Sequence, residues 1–315
     1  MSERDIQRPR RILAVRGGAL GDFILTLPAL RAIRHAGHEL ELLTRPAYGR
    51  LAREFGFVTA WRDLGCPEAA LLTVLGAEIP LDWQAWLGGF DAVVSWVPDS
   101  DGAFQKQIRH AGVPVFCQGD ARCPGLGPAA EQLAGVLSQL GLEVTGLYYS
   151  ALFSPEKHPP RTSPVAFHPG SGSPLKNWPV DRWISLLQEL QIRCPGTTWR
   201  IITGEAEAER LPAIHHGMYA SGLPWQAWHD IDLTSLIYRL QGCRAFLGHD
   251  SGISHLAAAC GVPCWLLFGP TDPAVWAPQG DHVRVLRMQE IAGGFAGSGV
   301  TPDEAALEKW LGAFS

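Results

Sequence analysis

Charge is scarce in this chain: Asp, Glu, Lys and Arg make up 18% of its 315 residues, against about 25% in an average soluble protein. The two signs nearly cancel, at a net charge of −5, so there is no basic field to neutralise a phosphate backbone. Nucleic acid is thereby excluded as the main partner. The seven cysteines are odd in number and form neither a CxxC pair nor a paired Cys/His spacing, which argues against a disulfide framework and against zinc. A reducing cytoplasm is the expected compartment. The N-terminal MSERDIQRPRR has no apolar stretch behind its charges, so it does not read as a secretory signal. A long uninterrupted apolar run is missing too. The most apolar window, 253–269, contains Ser, His, two glycines and a proline, and it is expected to divide into a buried helix and a buried strand rather than span a membrane.

What is present is a folding composition. Apolar residues reach 46%, and the 35 glycines and 24 prolines together are about a fifth of the chain, under the quarter or so at which low-complexity behaviour begins. At about 150 residues per domain, the length suits two domains. Short apolar runs recur at 12–15, 40–43, 92–97, 165–167, 199–203, 245–248, 264–268 and 283–286. Most are continuous rather than alternating, as parallel strands covered on both faces require. Helical patterns lie between them: Trp183, Leu186, Leu187 and Leu190 share one face, as do Leu236, Ile237 and Leu240. Alternating strands and helices predict an α/β architecture.

The proline-rich stretch 154–164 reads as a linker, and the same grammar of strand then glycine loop opens on either side of it. Two Rossmann-like domains are expected, at 1–156 and 162–315, facing each other across a cleft that is the default site. Thr301, Pro302 and Glu304 supply start signals for a helix over 302–312.

Three segments carry chemistry. In the first, 11–33, Gly17, Gly18 and Gly21 turn the backbone from strand to helix, and Asp22 falls near the helix start. The spacing is not GxGxxG, and an ionised Asp22 would repel a pyrophosphate. Asp22 is then either a helix cap or an acid facing a ligand. In the second, 165–183, Gly170, Ser171, Gly172 and Ser173 offer amides and hydroxyls, with Lys176 as a mobile cation. An anion such as phosphate fits, although this is not a Walker loop, and simple turn formation is the alternative. In the third, 246–278, the turn HDSG opens a helix whose amides near Ser251, Gly252 and Ile253 suit a diphosphate. His249 and His255 flank it, and each reads either as a ligand-facing residue or as a satisfied core or surface histidine. A Ser251/His255/Asp250 hydrolase triad is less favoured, because the G-x-S-x-G register is not met. Glu207, in the run EAEAER, reads either as a hydrogen-bond acceptor for a ribose or as part of a solvated helix start. The twelve tryptophans are either sugar-stacking platforms or core.

Together these residues resemble the bacterial glycosyltransferase family that contains the lipopolysaccharide heptosyltransferases, glycosyltransferase family 9. The likeness rests on R-x-x-A-L-G-D-x-x-x-T-L-P-A-L-R-A at Arg16 to Ala32, H-P-G-S-G-S-P-x-K-N-W-P at His168 to Pro179, G-x-D-S-G-x-x-H-L-A-A-A-x-G-V-P at Gly248 to Pro263, and F-G-P-T-D-P-x-x-W-x-P at Phe268 to Pro278. It implies a two-domain GT-B fold and inverting transfer from a nucleotide-activated sugar, ADP-heptose, without a metal or other cofactor. It further implies that Asp22 is the base, with Arg16, Gly18 and Gly21 forming the acceptor-side loop. Ser171 and Lys176 would hold donor phosphates, and Asp250, Ser251, Gly252 and His255 would complete the donor site. Between about 95 and 127 the likeness fades, and the basic acceptor-facing pattern expected after the strand at 92–97 is missing.

The expected partners are a nucleotide-sugar and a glycan or lipid-linked glycan acceptor of the lipopolysaccharide-core type. The expected place is the cytoplasm, with peripheral contact at the inner face of the cytoplasmic membrane. A non-catalytic sugar-nucleotide or glycan-binding paralogue is the alternative from another class, followed by a nucleotide-sugar epimerase on the same fold and, more distantly, an NAD oxidoreductase.

Overall fold

The structure, a computed structural model, describes residues 10–142, 152–153, 159–288 and 309. The chain divides into two compact units, Met1–Leu147 and Tyr148–Ser315. In the first unit β1 (Arg11–Arg16), β2 (Glu39–Thr44), β3 (Ala60–Asp63), β4 (Ala92–Ser95) and β5 (Val115–Gln118) form a sheet in the order β3-β2-β1-β4-β5. Every pairing is parallel. In the second unit β6 (Val165–His168), β7 (Trp199–Thr203), β8 (Trp225–His229), β9 (Ala245–His249), β10 (Cys264–Phe268) and β11 (Val283–Arg287) form a parallel sheet in the order β11-β10-β9-β6-β7-β8. The expected α/β class is therefore what the chain adopts.

The continuous apolar runs become central strands for the reason given by their composition. Every residue of β4, β6, β9 and β10 is buried, since helices cover both faces of a parallel sheet. The helix Val180–Arg193 turns the predicted stripe of Trp183, Leu186, Leu187 and Leu190 inward. There it meets Phe167, Trp199, Ile201 and Leu247 in the core of the second unit. Each such side chain contributes roughly 1.5–3 kcal/mol when fully buried. The window 253–269 divides as expected, into the helix Gly252–Ala259 and β10. Among the described residues no helix is long and apolar enough to cross a membrane.

Seven tryptophans, 83, 96, 178, 183, 199, 228 and 265, are buried, which favours the core reading for them over exposed sugar platforms. All seven cysteines are free thiols, with Cys243, Cys260 and Cys264 buried in the second unit. Residues 154–158 of the expected linker lie outside the described residues, as does the expected helix over 302–312 apart from Lys309, which is helical.

Both sheets reverse strand order once. In the first unit the reversal falls between β1 and β4, and in the second between β6 and β9. Loops leaving the carboxyl ends of strands at such a point diverge and leave a crevice, the usual ligand position in open parallel sheets. The glycine loop after β1 lies at the first reversal, and the loops after β6 and β9 at the second.

Candidate functional site

In the first unit, β1 ends at Arg16 and the helix Leu20–His35 begins after Ala19. Gly18 has φ +86°, and a Cβ there would lie 2.8 Å from Asp22 Oδ2, so glycine is required on both counts. Gly21 lies in the first turn of the helix. Asp22 is the third helical residue, and its Oδ2 accepts from Ala19 N at 3.1 Å. The capping role is thus real, but the carboxylate stays more than a third exposed, with Oδ1 3.7 Å from Arg16 Nη2. Arg16 is buried. Its Nε and Nη2 donate to the Asp22 carbonyl at 3.3 and 3.1 Å, and Thr26 Oγ1 donates to the same oxygen at 2.8 Å. Burial pulls the Arg16 pKa down while the Asp22 charge opposes the shift. Arg16, Gly18, Gly21 and Asp22 therefore form one constellation, in which a buried cation fixes the backbone of an exposed acid.

In the second unit, the loop after β6 passes through Gly170, Ser171, Gly172 and Ser173 to a single 3₁₀ turn, Pro174–Lys176. Ser171 is buried and its Oγ donates to Ser173 O at 2.8 Å. Lys176 Nζ pairs with Asp250 Oδ2 at 2.6 Å. That oxygen also accepts from Thr271 Oγ1 at 2.5 Å. Ser251 caps the helix Gly252–Ala259, accepting from Ser254 N at 3.2 Å, and the helix leaves its first amides without internal acceptors. Loop, cation, carboxylate and helix start thus converge where the second sheet reverses. A lysine ammonium beside helix amides suits an anionic group, and Asp250 suits hydroxyls or the lysine itself.

The two histidines separate. His255 is buried within the helix, its amide bonded to Ser251 O at 3.2 Å. His249 is fully buried. Its Nε2 accepts from Trp178 N at 2.9 Å and from Trp183 Nε1 at 3.2 Å, so the ring carries its proton on Nδ1, and burial pushes its pKa well below the usual value. His249 is therefore a core residue that ties down the end of the β6 loop, which is the core alternative of the two that the sequence left open.

Glu207 is also buried, beneath Gly170. Its Oε2 accepts from Gly204 N at 3.0 Å, and its Oε1 lies 3.8 Å from His168 Nε2. Burial lowers the His168 pKa against the pull of this carboxylate. Two residues that sequence reasoning did not single out complete the picture: Thr271, on Asp250, and Arg210, at the end of the acidic run, which donates to Pro169 O and Trp178 O. Thr271 was marked only as a letter of the motif at Phe268 to Pro278, and the signal for Arg210 is a polar side chain just beyond a turn at the sheet's carboxyl edge.

Fold and site define the class, a GT-B-type architecture of two parallel α/β units. Escherichia coli ADP-heptose lps heptosyltransferase II matches with a TM-score of 0.70 at 15% identity, over 96% of this chain and 99% of that one. E. coli heptosyltransferase WaaC with ADP gives 0.67 at 18% identity, over 97% and 100%. At these identities the likeness is one of fold. Residues 140–293 match glycosyltransferase family 9 (heptosyltransferase). Lipopolysaccharide heptosyltransferase 1 of Pseudomonas aeruginosa is 35% identical over 111 residues, which are 35% of this chain and 29% of that protein. The match thus spans less than a third of that relative's length. Residues 140–293 of this chain are thus similar to glycosyltransferase family 9, the heptosyltransferases, and the fold is that of solved heptosyltransferases.

Proposed function

We propose that the chain transfers heptose from ADP-heptose to a hydroxyl of a lipopolysaccharide-core or other surface-glycan acceptor, with inversion at the anomeric carbon. The observation that carries the reading is the meeting of Lys176, Asp250 and the start of the helix Gly252–Ala259 where the second sheet reverses. The similarity of residues 140–293 to the heptosyltransferase family supports the choice of sugar, and the ADP and ADP-heptose of two fold neighbours support the nucleotide.

In this reading Ser171, Lys176 and the amides at Ser251 and Gly252 bind the diphosphate, with His255 beneath them. Asp250 takes a sugar hydroxyl, while Glu207 serves the ribose side by shaping the loop beneath it. Asp22 in the first unit accepts the proton of the acceptor hydroxyl as its oxygen bonds to the anomeric carbon. The bond from that carbon to the diphosphate oxygen breaks, and its electron pair leaves with ADP. Charge develops on the departing phosphate, which a lysine and preorganised amides stabilise without a metal ion. The working place is the cytoplasm, with peripheral contact at the inner membrane face where a lipid-linked acceptor lies.

A thermal-shift series over ADP-, UDP-, GDP- and dTDP-sugars, followed by product analysis with ADP-heptose and a deacylated core acceptor, tests the proposal. Selective stabilisation by ADP-heptose and release of ADP only with acceptor are expected. Stabilisation without transfer would favour the non-catalytic binding paralogue, and preference for another nucleotide would overturn the donor.

A further inference from the structure

The segment 169–178 carries both Ser171 and Lys176, yet it has little structure of its own. Besides the turn Pro174–Lys176, its bonds run from Ser171 Oγ to Ser173 O, from Lys176 N to Ser173 O at 3.0 Å and from Asn177 N to Pro174 O at 3.1 Å. These bonds stay within the segment, while the side chain of Lys176 reaches out of it to Asp250 Oδ2. Small residues such as Gly170, Ser171, Gly172 and Ser173 would give it wide backbone freedom, and fixing each costs roughly 1–2 kcal/mol. Something outside the loop has to hold it.

At its root, one side chain does so. Arg210 Nη1 donates to Pro169 O at 3.2 Å and Nη2 to Trp178 O at 3.1 Å, so a single guanidinium joins the residue that opens the loop to the residue that closes it. The same Trp178 donates its amide to His249 Nε2. Glu207 lies against the other end, where a Cβ on Gly170 would sit 2.0 Å from Oε1. Nothing in this arrangement puts Arg210 on the ligand: both bonds are to main-chain carbonyls.

We propose that Arg210 is a positioning residue, a clamp that closes the loop 169–178 into a preformed cradle and acts on the donor only through Ser171 and Lys176. This rests on the reading that the cradle takes the donor diphosphate. The planar fork is the reason for arginine: two nitrogens at fixed separation reach two acceptors at once, whereas a lysine ammonium is a point charge on a flexible stem. Order present before binding need not be created during it, which raises affinity without any new contact.

The experiment compares wild type, Arg210→Lys and Arg210→Gln by hydrogen exchange of the amides over 170–177 and by calorimetric titration with ADP and with adenosine. Both variants are expected to exchange faster within that loop while the strands of the second unit keep their protection. ADP affinity should fall about tenfold in both, the scale of a sub-ångström misplacement of binding groups, with adenosine affinity little changed. Retention of ADP affinity by Arg210→Lys with an unaltered loop would mean that Arg210 meets phosphate as a cation, and would overturn the clamp. Loss of protection throughout the second unit, or equal loss for ADP and adenosine, would overturn it as well by making Arg210 a general stability residue. If the wild-type protein binds no nucleotide, the donor reading falls, and the exchange data still decide whether Arg210 holds the loop.

Discussion

Lys176 and Asp250 meet with Nζ 2.6 Å from Oδ2, joining the loop after β6 to the turn after β9. The lysine side chain is 27% exposed and the aspartate 8%, so the cation can turn outward more readily than the acid. A phosphate arriving at Lys176 competes with a partner already in place, and Thr271 remains on Asp250 when the lysine leaves it.

Lys176→Ala is therefore expected to weaken ADP binding by about 1.5–3 kcal/mol, the scale of a hydrogen bond to a charged group, and to weaken adenosine binding far less. Parallel titrations of the two ligands provide the check. Equal losses would place Lys176 away from the phosphates.

Asp22→Asn separates the cap from the base. The amide oxygen can still accept from Ala19 N, so stability should change by less than about 1 kcal/mol. Transfer should fall by roughly 10²- to 10⁴-fold, the worth of a general base, while donor affinity is kept. Turnover near that of wild type would leave Asp22 as a helix cap alone.

Gly170→Ala puts a Cβ where Glu207 Oε1 lies, and should destabilise the second unit by about 1–3 kcal/mol, as overpacking does. In the double variant with Glu207→Ala the obstruction is gone, so the two effects should sum to more than the double variant loses. Urea unfolding of all four proteins measures the coupling, and strict additivity would mean that the two residues do not touch in solution.

His249 makes stability depend on pH. Its folded pKa lies well below 6.5 because burial disfavours the charged ring, so at pH values between the two the unfolded chain takes up a proton that the folded chain refuses. Stability from this group is complete above 6.5 and declines as pH falls, by at most about 1.4 kcal/mol per unit. His249→Gln, which can still accept from Trp178 N, should flatten the acid limb of a urea-stability profile. An unchanged slope would show that the limb has another origin, His168 being the neighbouring buried imidazole.

The central strands were legible because burial on both faces writes a continuous apolar run: seven of the eight runs named from the sequence became central strands and the eighth the edge strand β11, with ends within two residues. The three strands that escaped notice, β3, β5 and β8, lie at sheet edges. There one flank meets solvent, and AWRD, VFCQ and WQAWH mix polar with apolar residues. At the site, Lys176, Asp250 and Ser251 were readable from motif and turn chemistry, since loops at a sheet's carboxyl edge use recognisable residues. The role of His249 stayed open in the sequence because a histidine after a strand looks alike whether its ring points to ligand or to core. Arg210 was missed because its acceptors are main-chain carbonyls, and a carbonyl leaves no mark in a sequence.

The buried cysteines offer an internal alarm for unfolding. Burial pushes the Cys243 thiol up to about 12 and raises those of Cys260 and Cys264 as well, and the thiolate is the form that alkylating reagents attack. In the folded second unit these three sulfurs are both unreachable and protonated. An alkylating mass tag added at neutral pH therefore stays off them until that unit opens, and its rate of uptake there is a direct clock for the opening.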